Sequence, residues 1–246
     1  MRKFGLIGFP LTHSFSKKYF TEKFQREQIA NCSYELFEIP SITEIPALLK
    51  SKKELEGLNV TIPYKLQVIP YLNELEPACK AIGAVNCIKI QEGKLTGYNT
   101  DFVGFRNSLD NWIPGSKPNA LVLGTGGAAK AVIQALKHLE VPYLQVSRNH
   151  SELENIITYD QLTDDPDILK NHLLLINTTP LGMYPNTEEL PPLPMEYIGA
   201  DHYLYDLIYN PIYTALMKAV ESRGGKVKNG MEMLILQADA AWEIWN

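Results

Sequence analysis

Short apolar runs alternate along the chain with stretches in which apolar residues recur at helical spacing. Residues 3–8 (KFGLIG) read as a buried strand, and Ser16 offers a cap for a helix carrying Tyr19, Phe20 and Phe24. A strand over 33–39, a helix over 41–51 and a short strand over 57–61, stopped by Pro63, repeat the cycle. Residues 84–90 and 94–97, joined through Glu92-Gly93, predict a hairpin added to the same sheet. A helix over 101–112 comes next, and the turn formers of 113–119 mark a domain boundary. Beyond it the cycle resumes with a strand over 120–123, a glycine-rich loop, a helix to His138 and a strand over 143–146. Strands over 173–176 and 204–207 each run into a polar or Pro-rich loop, and helices over 213–223 and 231–245 follow. The pattern predicts an α/β protein of two domains with helices packed on sheet faces, and ligands beyond the carboxyl ends of its strands.

Composition narrows the class. With 246 residues, 45% hydrophobic and 21% charged, the chain can bury a sizeable core and is too apolar for a disordered or fibrous protein. Cys32, Cys79 and Cys87 are odd in number and lack C-x-x-C spacing, so neither a disulfide framework nor a metal site is expected, and a reducing cytoplasm is the expected setting. The first residues carry too few apolar positions for an export signal, and no run approaches the roughly 18 apolar residues of a membrane span. A net charge of −5 without a Lys/Arg-rich block argues against nucleic acid as a partner. Basic residues nevertheless exceed acidic ones up to about residue 106, and the balance reverses beyond it, which suits a first part that attracts a small anion.

The glycine-rich loop carries the most specific chemistry. Gly124-Thr-Gly126-Gly127-Ala128-Ala129 matches G-x-G-x-x-G/A directly after a strand and at the opening of a helix. Such a loop brings backbone close to a pyrophosphate and aims the positive end of a helix at it. A purely structural glycine turn is the competing reading. At the end of the next strand stands Ser147-Arg148-Asn149, with no carboxylate to meet a ribose 2′-hydroxyl. A guanidinium there suits the 2′-phosphate of NADP, unless Arg148 is a plain surface arginine.

In the first part, polar residues stand where strands should be ending: Ser14 and Ser16, Asn59 and Thr61, Lys65, Asn86, and Asn99-Thr100-Asp101. Singly they have ordinary readings, with Ser16 and Asp101 as helix N-caps, Lys65 as a solvated helix lysine and Asn86 as a hairpin residue. Together, the motifs His13-Ser14-Phe-Ser16, Asn59-Val-Thr61-Ile-Pro-Tyr-Lys65, Gly83-Ala-Val-Asn86 and Asn99-Thr-Asp101 resemble the shikimate dehydrogenase family. The resemblance continues through the glycine loop, Ser147-Arg148-Asn149, Asn177-Thr178-Thr-Pro-Leu-Gly-Met, Asp206-Leu-Ile-Tyr209-Asn-Pro and Gly230-Met-Glu-Met233-Leu-Ile-Leu-Gln237, over nearly the whole chain.

It implies a substrate-binding catalytic domain of 1–104 with 231–246, and a Rossmann-type NADP-binding domain of 105–230. It also implies reversible reduction of 3-dehydroshikimate to shikimate, by a monomer or homodimer. Lys65 and Asp101 would be catalytic, and Ser14, Ser16, Thr61, Asn86, Asp101, Tyr209 and Gln237 would hold the substrate. Gly124, Gly126, Gly127, Ala128, Ser147, Arg148, Asn149, Thr178, Gly230 and Met233 would bind the cofactor. A dual-specificity quinate/shikimate enzyme and a catalytically silent NADP-binding sensor are the alternatives. Three positions depart from the family's usual pattern: Lys17 replaces proline, Asn149 threonine and Glu232 glycine.

Overall fold

The computed structural model describes residues 1–11 and 14–246, so His13 of the first serine motif lies outside the described residues. The chain divides into two compact units, Met1–Val103 with Gln237–Asn246, and Gly104–Leu236.

The first unit holds β1 (Arg2–Gly8), α1 (Phe15–Arg26), β2 (Cys32–Glu38), α2 (Ile45–Ser51), β3 (Leu55–Val60), α3 (Tyr64–Gln67), β4 (Glu74–Leu75), α4 (Pro77–Ile82), β5 (Cys87–Gln91) and β6 (Lys94–Tyr98). Its six strands lie in the order β2-β1-β3-β5-β6-β4. β1 is parallel to both β2 and β3, whereas β5 runs antiparallel to β3 and β6. Glu92 and Gly93 both have positive φ (52° and 78°), the conformation a two-residue hairpin turn demands. Successive residues of β1 feed opposite faces. Ile7 joins Phe37, Ile45, Leu58 and Val68 on one side, while Phe4 and Leu6 meet Phe20, Phe24, Ala238 and Trp245 on the other.

Helix α5 (Thr100–Trp112) leads into the second unit, which contains β7 (Ala120–Leu123), α6 (Gly127–His138), β8 (Tyr143–Ser147), β9 (Ile156–Thr158), α7 (Tyr159–Asp164), α8 (Asp167–Asn171), β10 (Leu174–Asn177), β11 (Tyr203–Asp206), α9 (Ala215–Glu221) and β12 (Lys226–Asn229). Helix α10 (Met231–Trp245) follows. All pairings in this sheet are parallel, in the order β12-β11-β10-β7-β8-β9. Chain order therefore reverses between β7 and β10, the doubly wound arrangement of dinucleotide-binding domains. Among the described residues no helix is long and apolar enough to cross a membrane.

Several local expectations change. Ser14, not Ser16, caps α1, its Oγ accepting the Lys17 N–H at 3.3 Å. A proline at position 17 would have no N–H to give, so the lysine there supplies the cap bond. Asn99, not Asp101, caps α5 by accepting the Phe102 N–H at 3.1 Å, and Asp101 sits in the first turn. Asn86 precedes β5 rather than lying in the hairpin. Finally, the first turns of α10 group with the second unit up to Leu236. Glu232 explains this, because Ser108 and Asn111 of α5 donate to its carboxylate at 2.8 and 3.1 Å and Lys228 pairs with it.

Candidate active site

In the first unit, the carboxyl ends of β1 and β3 adjoin: Thr61 N–H bonds to Ile7 O at 3.0 Å and Phe9 N–H to Ile62 O at 3.2 Å. Directly beyond β3, the single turn α3 carries Lys65. Its backbone is pinned from the neighbouring segment, since Val85 N–H donates to Lys65 O at 2.8 Å. From there the ammonium reaches the first turn of α5, where Nζ donates to Asp101 Oδ2 at 2.7 Å. Both side chains are part-buried, so the pair is accessible yet shielded enough to hold one geometry.

Beneath this pair runs a buried polar chain. Tyr34 OH donates to Asn59 Oδ1 at 2.7 Å, and Asn59 Nδ2 donates to Asn86 O at 3.3 Å. Asn86, only 3% exposed, accepts the Thr100 N–H at 2.6 Å and donates through Nδ2 to Thr100 Oγ1 at 3.0 Å. Thr100 Oγ1 in turn lies 3.3 Å from Gln237 Oε1 in α10. Thus Asn86 fixes the residue next to Asp101, with one Nδ2 hydrogen left for a ligand. Burial pushes the Tyr34 phenol far up, with Ser16 beside it offsetting part of the shift, so the hydroxyl stays a donor. Tyr34 carries no motif that marks it in the sequence, and Thr100 stood there only as the middle of Asn99-Thr100-Asp101; their burial and bonding give both a part in the site.

Tyr209, Gly230 and Met233 lie in the second unit. Tyr209 is exposed in the loop after β11, and Met233 is buried. Gly230 N–H donates to Ile208 O at 3.0 Å, and a side chain there would run into the Leu207 backbone.

The second unit has a cavity of about 450 Å³ at the switch between β7 and β10. Gly124, Gly126, Ser147, Arg148, Asn149 and Thr178 all line it. Gly124 has φ of 108°, and a Cβ there would stand 2.8 Å from Thr178 Oγ1. Among the described residues, chain neighbours aside, nothing lies within 4 Å of where a Cβ of Gly126 or Gly127 would sit, so the loop leaves open space at the start of α6. The lining could hold a dinucleotide, whose pyrophosphate would meet the α6 N-terminus and whose adenosine end would lie toward Arg148. Arg148 is exposed and has no ion-pair partner among the described residues. Ser147 Oγ accepts the Asn149 N–H at 3.1 Å, which shapes the turn after β8. Replacing Arg148 by alanine should raise the KM for NADP about ten- to a hundred-fold, the scale of a lost charged hydrogen bond, and leave that for NAD nearly unchanged. Initial rates against each cofactor would check this.

Comparison with known proteins identifies the family. Residues 6–88 match the family profile described as the shikimate dehydrogenase substrate binding domain. A curated relative from Clostridium beijerinckii, a shikimate dehydrogenase (NADP(+)), is 39% identical over 100% of this chain and 92% of its own length. The chain belongs to the shikimate dehydrogenase family. Among solved structures of shikimate dehydrogenases, a chorismate mutase/shikimate 5-dehydrogenase fusion protein from Clostridium acetobutylicum superposes with a TM-score of 0.88 at 38% identity, covering 100% of this chain and 91% of the other. A shikimate 5-dehydrogenase from Thermus thermophilus, in complex with NADP(H) and shikimate, gives 0.83 at 28% identity, covering 100% and 94%. Within this shikimate dehydrogenase fold, Glu232 is an accommodated departure. Burial would push its carboxyl up, but Lys228, Ser108 and Asn111 outweigh that and hold it below the usual carboxylate value.

Proposed function

We propose that this chain catalyses the reversible reduction of 3-dehydroshikimate to shikimate with NADPH, a step toward chorismate and the aromatic amino acids. The observation that carries the reading is the Lys65–Asp101 ion pair, 2.7 Å long, in the unit whose residues 6–88 match a substrate binding domain. NADP, when bound in the cavity of the second unit, would supply or accept the hydride. Reducing a ketone leaves negative charge on its oxygen, and an enzyme must meet that charge with a placed donor. Lys65 offers both a positive charge and a proton for that oxygen, and Asp101 holds the ammonium in a fixed direction. Ser14, Ser16, Thr61 and Gln237 offer hydroxyl and amide groups that donate and accept, which suits the hydroxyls and carboxylate of a polyol acid. Ser14 Oγ already accepts the Lys17 N–H, which leaves its hydroxyl hydrogen and one lone pair for a ligand.

Following reduced-cofactor absorbance with purified protein, for shikimate and quinate each with NADP and NAD, tests the whole assignment. Rapid turnover of shikimate with NADP is expected; no turnover of either acid would overturn the reading, and equal turnover of quinate would make the enzyme dual-specific. Gln237→Ala should raise the KM for shikimate several-fold with a smaller change in kcat, because the amide binds ground state and transition state alike. An unaltered KM would remove Gln237 from the substrate site.

A further inference from the structure

In β8 and β9, Ser147 stands opposite Thr158 in parallel register, so the next residue on each strand, Arg148 and Tyr159, emerges at the same end of the sheet. Both line the 450 Å³ cavity. Tyr159 is held firmly. Thr158 caps α7 in a capping box, its Oγ1 accepting the Gln161 N–H at 3.1 Å while Gln161 Oε1 accepts the Thr158 N–H at 2.9 Å.

The ring is nine-tenths buried, yet its hydroxyl has no hydrogen-bond partner among the described residues. Ser33 Oγ is the one fully buried side-chain polar atom left unpaired among them, so the Tyr159 hydroxyl opens onto the cavity. Burial pushes the phenol up to about 12, with the Arg148 charge opposing, which leaves it protonated and able to donate. Arg148 is the only charged residue lining this space among the described residues. A phosphate dianion has more acceptor positions than one guanidinium can fill.

We propose that Tyr159 is a second ligand, beside Arg148, for the 2′-phosphate of the cofactor, and so a determinant of the preference for NADP over NAD. The proposal rests on the NADP-dependent reading above. Its hydroxyl donates to a phosphate oxygen while the guanidinium supplies charge, and NAD, lacking that phosphate, leaves the phenol with the cavity water.

The test is binding of two cofactor fragments, 2′,5′-ADP and 5′-AMP, to the wild type and to Tyr159→Phe, by calorimetry. The phenylalanine keeps the ring and its packing, and a thermal melt monitors the fold. Affinity for 2′,5′-ADP should fall about 5- to 20-fold, the scale of a hydrogen bond to a charged group, with 5′-AMP binding unchanged. In the same variant, KM for NADP should rise while KM for NAD and kcat hold. Unchanged 2′,5′-ADP binding, or an equal loss for both fragments, overturns the proposal. A wild type that binds the two fragments equally well would instead sink the NADP reading itself, and the proposal with it.

Discussion

Replacing Lys65 by alanine is expected to lower kcat by about two to four orders of magnitude, the range for removal of a positioned acid–base group, with a smaller change in KM. The effect should be chemical rather than structural. Lys65 is held in α3 by its backbone carbonyl bond to Val85, which alanine preserves. Its side chain is part-exposed, so truncation opens no cavity in the core. What disappears is the only cation paired with Asp101 among the described residues. The measurement is kcat and KM for shikimate at saturating NADP, beside a thermal melt. A variant that keeps near-normal turnover would falsify the assignment of Lys65 to the reacting oxygen.

The largest loss of stability is expected at Asp206. This fully buried carboxylate ends β11 and gathers three segments at once. Asn177 Nδ2 and Ile208 N–H donate to Oδ1 at 3.0 and 3.1 Å, and Thr214 Oγ1 donates to Oδ2 at 2.7 Å. Asp206→Ala strands three buried donors, and a loss of about 3–5 kcal/mol in urea unfolding follows from the cost of unsatisfied groups. Asp206→Asn keeps the shape and one strong acceptor and should lose about 1 kcal/mol.

The two variants also differ with pH. Burial pushes the Asp206 carboxyl above its ordinary 3.8, and the bonds from Thr214, Ile208 and Asn177 pull it only part-way back. The folded chain therefore holds this proton more tightly than the unfolded one. The stability so gained is complete below the unfolded value and is lost as pH climbs through the folded one. Asparagine, which does not titrate, should flatten that slope in melts taken upward from pH 4.

The elements legible in the sequence are those whose cores are apolar. β7 and β10, buried at every position, stand out as apolar runs, and the glycines between β7 and α6 announce their own geometry. β12 escaped because its sequence, KVKN, is polar and pairs on one side only, and β4 because it is two residues long. The choice of cap for α1 was not legible either. Ser14 and Ser16 are equally good capping residues, and what separates them is a backbone N–H at Lys17 and a phenol from β2 near Ser16. At the site, residue types were readable but their meeting was not. Lys65 and Asp101 are 36 residues apart, and no periodicity links a helical turn after β3 to one after β6; the family resemblance did. Tyr159 carried no signal, since a tyrosine at a helix start is unremarkable until its neighbour across the sheet is known.

Helix α10 has a consequence for how the polypeptide assembles. Ala238, Ala241 and Trp245 cover the same sheet face as Phe4, and the Trp245 indole donates to Ile88 O at 3.0 Å. The aromatic face of β1 thus stays uncovered until the last turns of α10, which follow the whole second unit in sequence, have docked. Contacts that bridge the whole second unit in sequence make for slow closure, and in that interval the first unit exposes apolar surface that favours association.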